Sequence, residues 1–255
     1  MDTLIIALVV GAITGLLLGL VGGGGSILTV PALIYLLGLG VGPATTISLA
    51  VIGLTAAFGT LQKYRDQRDT IRLDYALALA LLGLAGAQAG NWLNRALPEK
   101  VTLGGFGLLM LVVAGLMLLP PKLNPLPGEE LPGLRKRWLC VGVIGLGLGF
   151  MTGLFGVGGG FLIVPALVLR LNFPVRYAAA TSLVVITLNS LSALLGRWPM
   201  AGFDIDLALT LVVAGIVGTW GGSKLARRIP DKTMRKLFAW LVIVLGLYMG
   251  WQALS

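Results

Sequence analysis

A run of consecutive glycines inside apolar sequence occurs twice in this chain, and the two copies match. The first reads Gly19-Leu20-Val21-Gly22-Gly23-Gly24-Gly25-Ser26 and reaches Pro31 five residues later. The second reads Gly153-Leu154-Phe155-Gly156-Val157-Gly158-Gly159-Gly160 and reaches Pro165. Each glycine costs a helix about 1 kcal/mol relative to alanine. In lipid the penalty is larger, because freed N–H and C=O groups find no water. Matching breaks in two halves of a membrane chain point to a binding site at a repeat interface.

The surrounding sequence fixes the class. Hydrophobic residues make up 57% of the chain and charged residues 11%, against roughly 25% charged in soluble domains. Mean hydropathy is +0.96. Alternating barrel strands are absent, so the expected class is an all-α polytopic membrane protein. Apolar segments fall near 3–21, 26–38, 44–61, 72–92 and 101–119, then near 138–155, 160–171, 177–195, 204–225 and 234–252. Most can cross a bilayer, which takes roughly 20 helical residues. The two after the glycine runs are too short and suit half-helices or re-entrant pieces. Residues 3–21 follow an N-terminus without a basic region and are read as a retained membrane segment rather than a signal peptide.

The halves are repeats. A shift of 134 aligns Gly15 with Gly149, Pro31 with Pro165 and Ser48 with Ser182. A shift of 132 then aligns Asp74 with Asp206, Gly83 with Gly215, Gly86 with Gly218, Gly90 with Gly222 and Arg95 with Arg227. The proline- and charge-rich stretch 120–137 reads as a cytoplasmic linker between repeat 1 (1–119) and repeat 2 (138–255).

Charge placement sets the expected topology. The net charge of +9 reflects loops between spans rather than a nucleic-acid surface. If the chain reverses at each glycine run, the loops 62–72, 120–137, 170–176 and 224–236 share one side and hold 16 of the 19 Lys and Arg. Four plain crossings per half would divide these charges almost evenly. The positive-inside rule selects the first arrangement. It gives two inverted repeats, each a Gly-interrupted or re-entrant helix pair followed by three spanning helices, with both termini outside the cytoplasm.

Chemistry is expected at the breaks. A helix that starts after a glycine run presents unpaired N–H groups and the positive end of its dipole. Glycine lets the backbone approach a ligand closely. Together these form an anion site without a charged side chain. The candidates are Gly22, Gly24, Gly25 and Ser26 in the first copy and Gly156, Gly158, Gly159 and Gly160 in the second. The aligned hydroxyls Ser48 and Ser182 join them, with Thr181 and with Asn189, which has no reason to face lipid. Gln88 and Asn91 are weaker candidates. Hydroxyls in membrane helices commonly bond back one turn instead. Gly83, Gly86, Gly90, Gly215, Gly218 and Gly222 recur on one helical face and suit close packing. Asp74 and Asp206 stand at segment starts, where an acid suits a helix N-terminus. No acid or base lies deep in a span, which argues against a buried proton relay. Arg197 serves equally as an outer anion lure or a snorkelling anchor. With one cysteine, Cys140, and no histidine, neither a disulfide nor a Cys/His metal site is expected; no cofactor is.

At these residues the chain resembles the sulfite exporter TauE/SafE family of membrane permeases. The resemblance rests on the two glycine motifs with Pro31 and Pro165, on Ala180-Thr181-Ser182-Leu183, and on the tails Leu93-Asn94-Arg95-Ala96-Leu97-Pro98 and Leu225-Ala226-Arg227-Arg228-Ile229-Pro230-Asp231-Lys232. It covers nearly the whole chain. It implies an inner-membrane permease whose partners are a small sulfur-containing anion, such as sulfite, thiosulfate or an organosulfonate, and the bilayer. Copy one departs at Thr46-Ile47-Ser48-Leu49, so the half-sites need not be equivalent. The residues alone leave a small carboxylate open as substrate, and they leave homo-oligomerisation open. An intramembrane enzyme would need a buried acid, base or activated nucleophile, and the spans offer none.

Overall fold

Lipid gives a backbone N–H or C=O no partner, so apolar segments cross it as helices or in closed barrels. This chain takes the helical solution. A computed structural model describes residues 2–66, 70–94, 96, 98–119, 134–155, 160–171, 173–195 and 203–254. Among the described residues there are five helices on each side of the proline-rich segment. The first five are α1 (Asp2–Val21), α2 (Gly25–Tyr35), α3 (Val41–Asp66), α4 (Leu73–Asn94) and α5 (Glu99–Leu118). The second five are α6 (Leu134–Phe155), α7 (Gly160–Arg170), α8 (Val175–Leu195), α9 (Ile205–Ala226) and α10 (Asp231–Leu254). Seven of them are long and apolar enough to span a membrane; α2, α7 and the apolar part of α5 are shorter. The protein is thus a multi-pass, all-helical membrane protein.

The short helices occupy the sequence positions expected of them. Each runs 11 residues and contains a proline, Pro31 or Pro165, which removes one rung of the hydrogen-bond ladder. Helix α7 is buried over almost its whole length, and α3 and α8 are the most enclosed of the seven spans.

Helix pairing crosses between the halves. Helix α1 packs on α9 and α6 on α4, while α3 pairs with α8, α5 with α10 and α2 with α7. Exchanging the first five helices for the second five leaves these pairings unchanged. The correspondence extends to single atoms. A Cβ on Gly15 would strike the backbone of Gly215, and one on Gly149 that of Gly83. One on Gly218 would strike the carbonyl of Ala12, and one on Gly86 that of Leu146. All four are equivalent positions under the repeat shifts. The glycine stripes therefore bring helix backbones into direct contact, as the packing interpretation requires.

Helix ends follow electrostatics. Asp74 and Asp206 both lie in the first turn of their helices. The residue that caps α9 is Asp204, whose carboxylate accepts from the Leu207 N–H at 3.0 Å. One base is more buried than the sequence suggests: Arg235, near the start of α10, is 8% exposed. Its Nη2 donates to the Leu119 carbonyl at 2.8 Å, at the C-terminal end of α5 where a cation is favoured.

The packing gives a direct test. Gly149→Ala should lower the detergent melting temperature, because overpacking costs about 1–3 kcal/mol. Gly147→Ala, on the same helix with open space around it, should be neutral or slightly stabilising. Equal melting temperatures for the two variants would refute this α4–α6 contact.

Candidate functional site

The first glycine run ends α1 and turns the chain. Gly22 donates its N–H to the Leu18 carbonyl at 2.8 Å, closing the helix. Its φ of +83° suits glycine. The surroundings demand glycine as well. A Cβ there would lie 2.5 Å from the Ala179 carbonyl oxygen and 2.7 Å from Ser182 Oγ, both on α8. Gly23 is pressed against the backbone of Gly160, the first residue of α7. A Cβ on Gly160 would in turn lie 2.8 Å from Ile186 Cδ1 and 3.0 Å from Ser26 Oγ. The two breaks therefore meet each other, and both meet α8.

The remaining candidates divide. Gly25 packs against the Thr14 carbonyl on α1, and Gly24 faces Leu241 and Phe238 on α10. Gly156, Gly158 and Gly159 lie outside the described residues. On either side of them in sequence, Phe155 and Phe161 both contact Phe106 of α5, with ring centroids 5.5 Å apart in each case. Ser48 is buried on α3. Thr181 Oγ1 accepts from the Arg72 backbone N–H at 3.3 Å, tying the α3–α4 connection to α8. Gln88 and Asn91 are exposed on the outer face of α4.

The hydroxyls at the contact bond locally. Ser182 donates to the Ala179 carbonyl at 3.0 Å and Ser26 to the Gly23 carbonyl at 2.9 Å. A hydroxyl rotor can exchange such a partner for a ligand. Asn189 differs: its Oδ1 is buried and has no hydrogen-bond partner. A buried polar group of this kind calls for a functional account.

One face of α8 links these features. Ala179, Ser182, Ile186 and Asn189 recur at helical spacing. At the N-terminal end of this face lies a narrow cleft lined by Gln62, Lys63, Arg176, Ala179 and Arg227, among others. Ser182 meets the first break. Towards the other end opens a chamber walled by α3, α4, α6, α7 and α8. Its lining is mainly apolar, with Thr152, Asn189 and Ser190 as its polar side chains. Ion pairs stand at helix ends: Arg72 with Asp74 and Arg176 with Asp231, each at 2.9 Å, and Arg227 with Asp66. The hydrogen-bonded Asp74 carboxylate holds the Arg72 guanidinium above even its ordinary proton affinity.

A helical membrane protein whose first glycine break abuts the start of α7 beside a polar face of α8 has the build of a permease. The family model for the sulfite exporter TauE/SafE matches residues 7–249. The chain belongs to the TauE/SafE family. It is 30% identical to a probable membrane transporter protein of Xylella fastidiosa, over 99% of this chain and 97% of that one. It is 29% identical to the probable membrane transporter protein YunE of Bacillus subtilis, over 97% and 96% of the two chains. The protein is therefore a membrane transporter of this family.

The glycine run 22–25 was legible as a candidate only as a whole, and the cleft residues were not. Nothing in a run of four glycines marks which one faces the partner helix, and Lys63, Arg176 and Arg227 read as loop charge. Gly22→Ala and Gly23→Ala should each abolish transport, since neither backbone contact can yield. Gly38 also has a positive φ, +68°, but open space around it. Gly38→Ala should therefore cost only backbone strain, roughly 1–2 kcal/mol, and leave transport intact. Transport assays on membrane-inserted variants decide this; normal transport by Gly23→Ala would move the site elsewhere.

Proposed function

We propose that this permease carries a small sulfur-containing anion across a bacterial or archaeal inner membrane, through the contact between its two glycine breaks. The observation that carries the reading is the meeting of Gly22 and Gly23 with Gly160 and Ser182, which gathers backbone from both halves at one point on the polar face of α8. Backbone N–H groups there would hold the oxyanion, with Ser182 and Asn189 as side-chain donors. The family description favours sulfite or a related anion over a carboxylate. On this reading the halves are inverted repeats and both termini are extracytoplasmic, which the 16-of-19 cation asymmetry supports. An anion leaving an inside-negative cell gains about 2.3 kcal/mol per charge per 100 mV, so export is the default direction.

Two measurements test it. Calorimetric titration of the purified protein with sulfite, thiosulfate, sulfate and lactate should show saturable binding of a sulfur anion and none of lactate. Binding of lactate alone would replace the substrate class. A reporter fused at Ser255 should be active only as an extracytoplasmic reporter; strong cytoplasmic activity would overturn the inverted arrangement.

A further inference from the structure

The cleft at the N-terminal end of α8 collects cations from both halves of the chain. Arg176 is paired with Asp231 at 2.9 Å and also donates to the Ile229 carbonyl. Arg227 is paired with Asp66. Lys63 has no ion-pair partner among the described residues and is repelled by both guanidiniums. Neither acid lines the cleft. Beside Lys63, the Gln62 Oε1 is buried without a hydrogen-bond partner; turning that amide over presents two N–H donors instead. Three convergent cations, two acids held outside and an unsatisfied amide form a receptor for negative charge.

Position adds the second argument. Ala179 lines the cleft, and the same residue's carbonyl abuts Gly22. The cleft thus ends against the first glycine break. The repeat supplies a counterpart: Lys63 aligns with Arg197 under the 134 shift and Arg227 with Arg95 under the 132 shift. The same two positions are basic in both halves, although Arg95 and Arg197 lie outside the described residues.

We propose that this cleft is a loading site for a small free oxyanion, held by Lys63, the Gln62 amide and the guanidinium edges of Arg176 and Arg227 before it reaches the glycine contact. The proposal rests on the anion-transport reading above. It differs from that reading in placing charged side chains, not backbone alone, at the start of the path.

The test uses the full chain in phosphatidylcholine nanodiscs, in a Cys140→Ser, Ser223→Cys background, since Ser223 lines the cleft. An anionic methanethiosulfonate labels the new thiol, and sulfate is the probe for protection. Sulfate should slow labelling. Lys63→Met should raise the half-protecting concentration about tenfold, the loss of one charge-assisted contact, and Lys63→Gln should do the same. Lys63→Arg should restore protection. Lys63→Met should not lower the melting temperature, because no ion pair is broken; a structural role would lower it. Gly23→Ala should stop transport yet leave sulfate protection in place. Unchanged protection in both neutral variants would overturn the loading site. So would protection by phosphatidylglycerol-containing discs without sulfate, which would assign the cleft to a lipid headgroup. Absence of sulfite and thiosulfate binding with Lys63-dependent sulfate protection intact would instead remove the substrate assignment and leave the cleft standing.

Discussion

Direct contact of backbone with backbone inside a bilayer sets the terms for the rest of this structure. Leucine side chains gain little by leaving lipid for another helix, so apolar area alone cannot hold the helices together. Glycine removes the side-chain spacer and lets dispersion and close dipoles act at short range. Gly15 on Gly215 and Gly149 on Gly83 are two instances of one solution, repeated along each crosswise pair. Because α1 is fastened to α9 and α6 to α4, neither half packs by itself. The interface between repeats is the core of the protein, and a site built there is held by the same contacts that hold the fold.

The order of elements was legible because hydropathy and helix formation coincide in a membrane. The short segments near 26–38 and 160–171 became α2 and α7, and the glycine stripes on α4 and α9 were readable as packing faces from their spacing. Partner choice was not legible. Nothing in the spacing of Gly11, Gly15 and Gly19 says that they meet α9 rather than a helix of their own half. The aligned pair Asp74 and Asp206 drew attention to the N-terminus of α9, yet Asp204 two residues earlier makes the cap. Asn189 could be placed inside from its polarity alone. Its unpaired oxygen and its chamber required the tertiary structure.

Charge is confined to the ends of the helices, and this bears on mechanism. The face of α8 between the cleft and the chamber carries Ser182, Ile186 and Asn189, without an ionised group. A fixed cation at the glycine contact would hold an anion tightly and release it slowly. Backbone dipoles and an amide bind more weakly and tolerate departure, which transport requires. On the proposed reading, cations at the mouth would raise the local anion concentration without deepening the central well.

The two halves are not equal in detail, and the differences fall around the site. Thr55 and Asn189 align under the repeat shift. Thr55 bonds to the carbonyls of Val51 and Ile52, and its Cγ2 lies 2.6 Å from where a Cβ of Gly215 would stand. Asn189 Nδ2 stands 3.8 Å from the equivalent position on Gly83, with the chamber beside it. Thr219 further binds α9 to α1 through the Gly15 carbonyl, whereas Ala87 holds the equivalent place on α4. Thus Thr55 and Thr219 fill the place between α9, α1 and α3, while Asn189 and the chamber occupy the equivalent place between α4 and α8. On the proposed inverted arrangement, exchanging these two packings would close the chamber on one side and open its counterpart on the other. Inequality of this kind between repeats is expected of a two-state carrier in any single state.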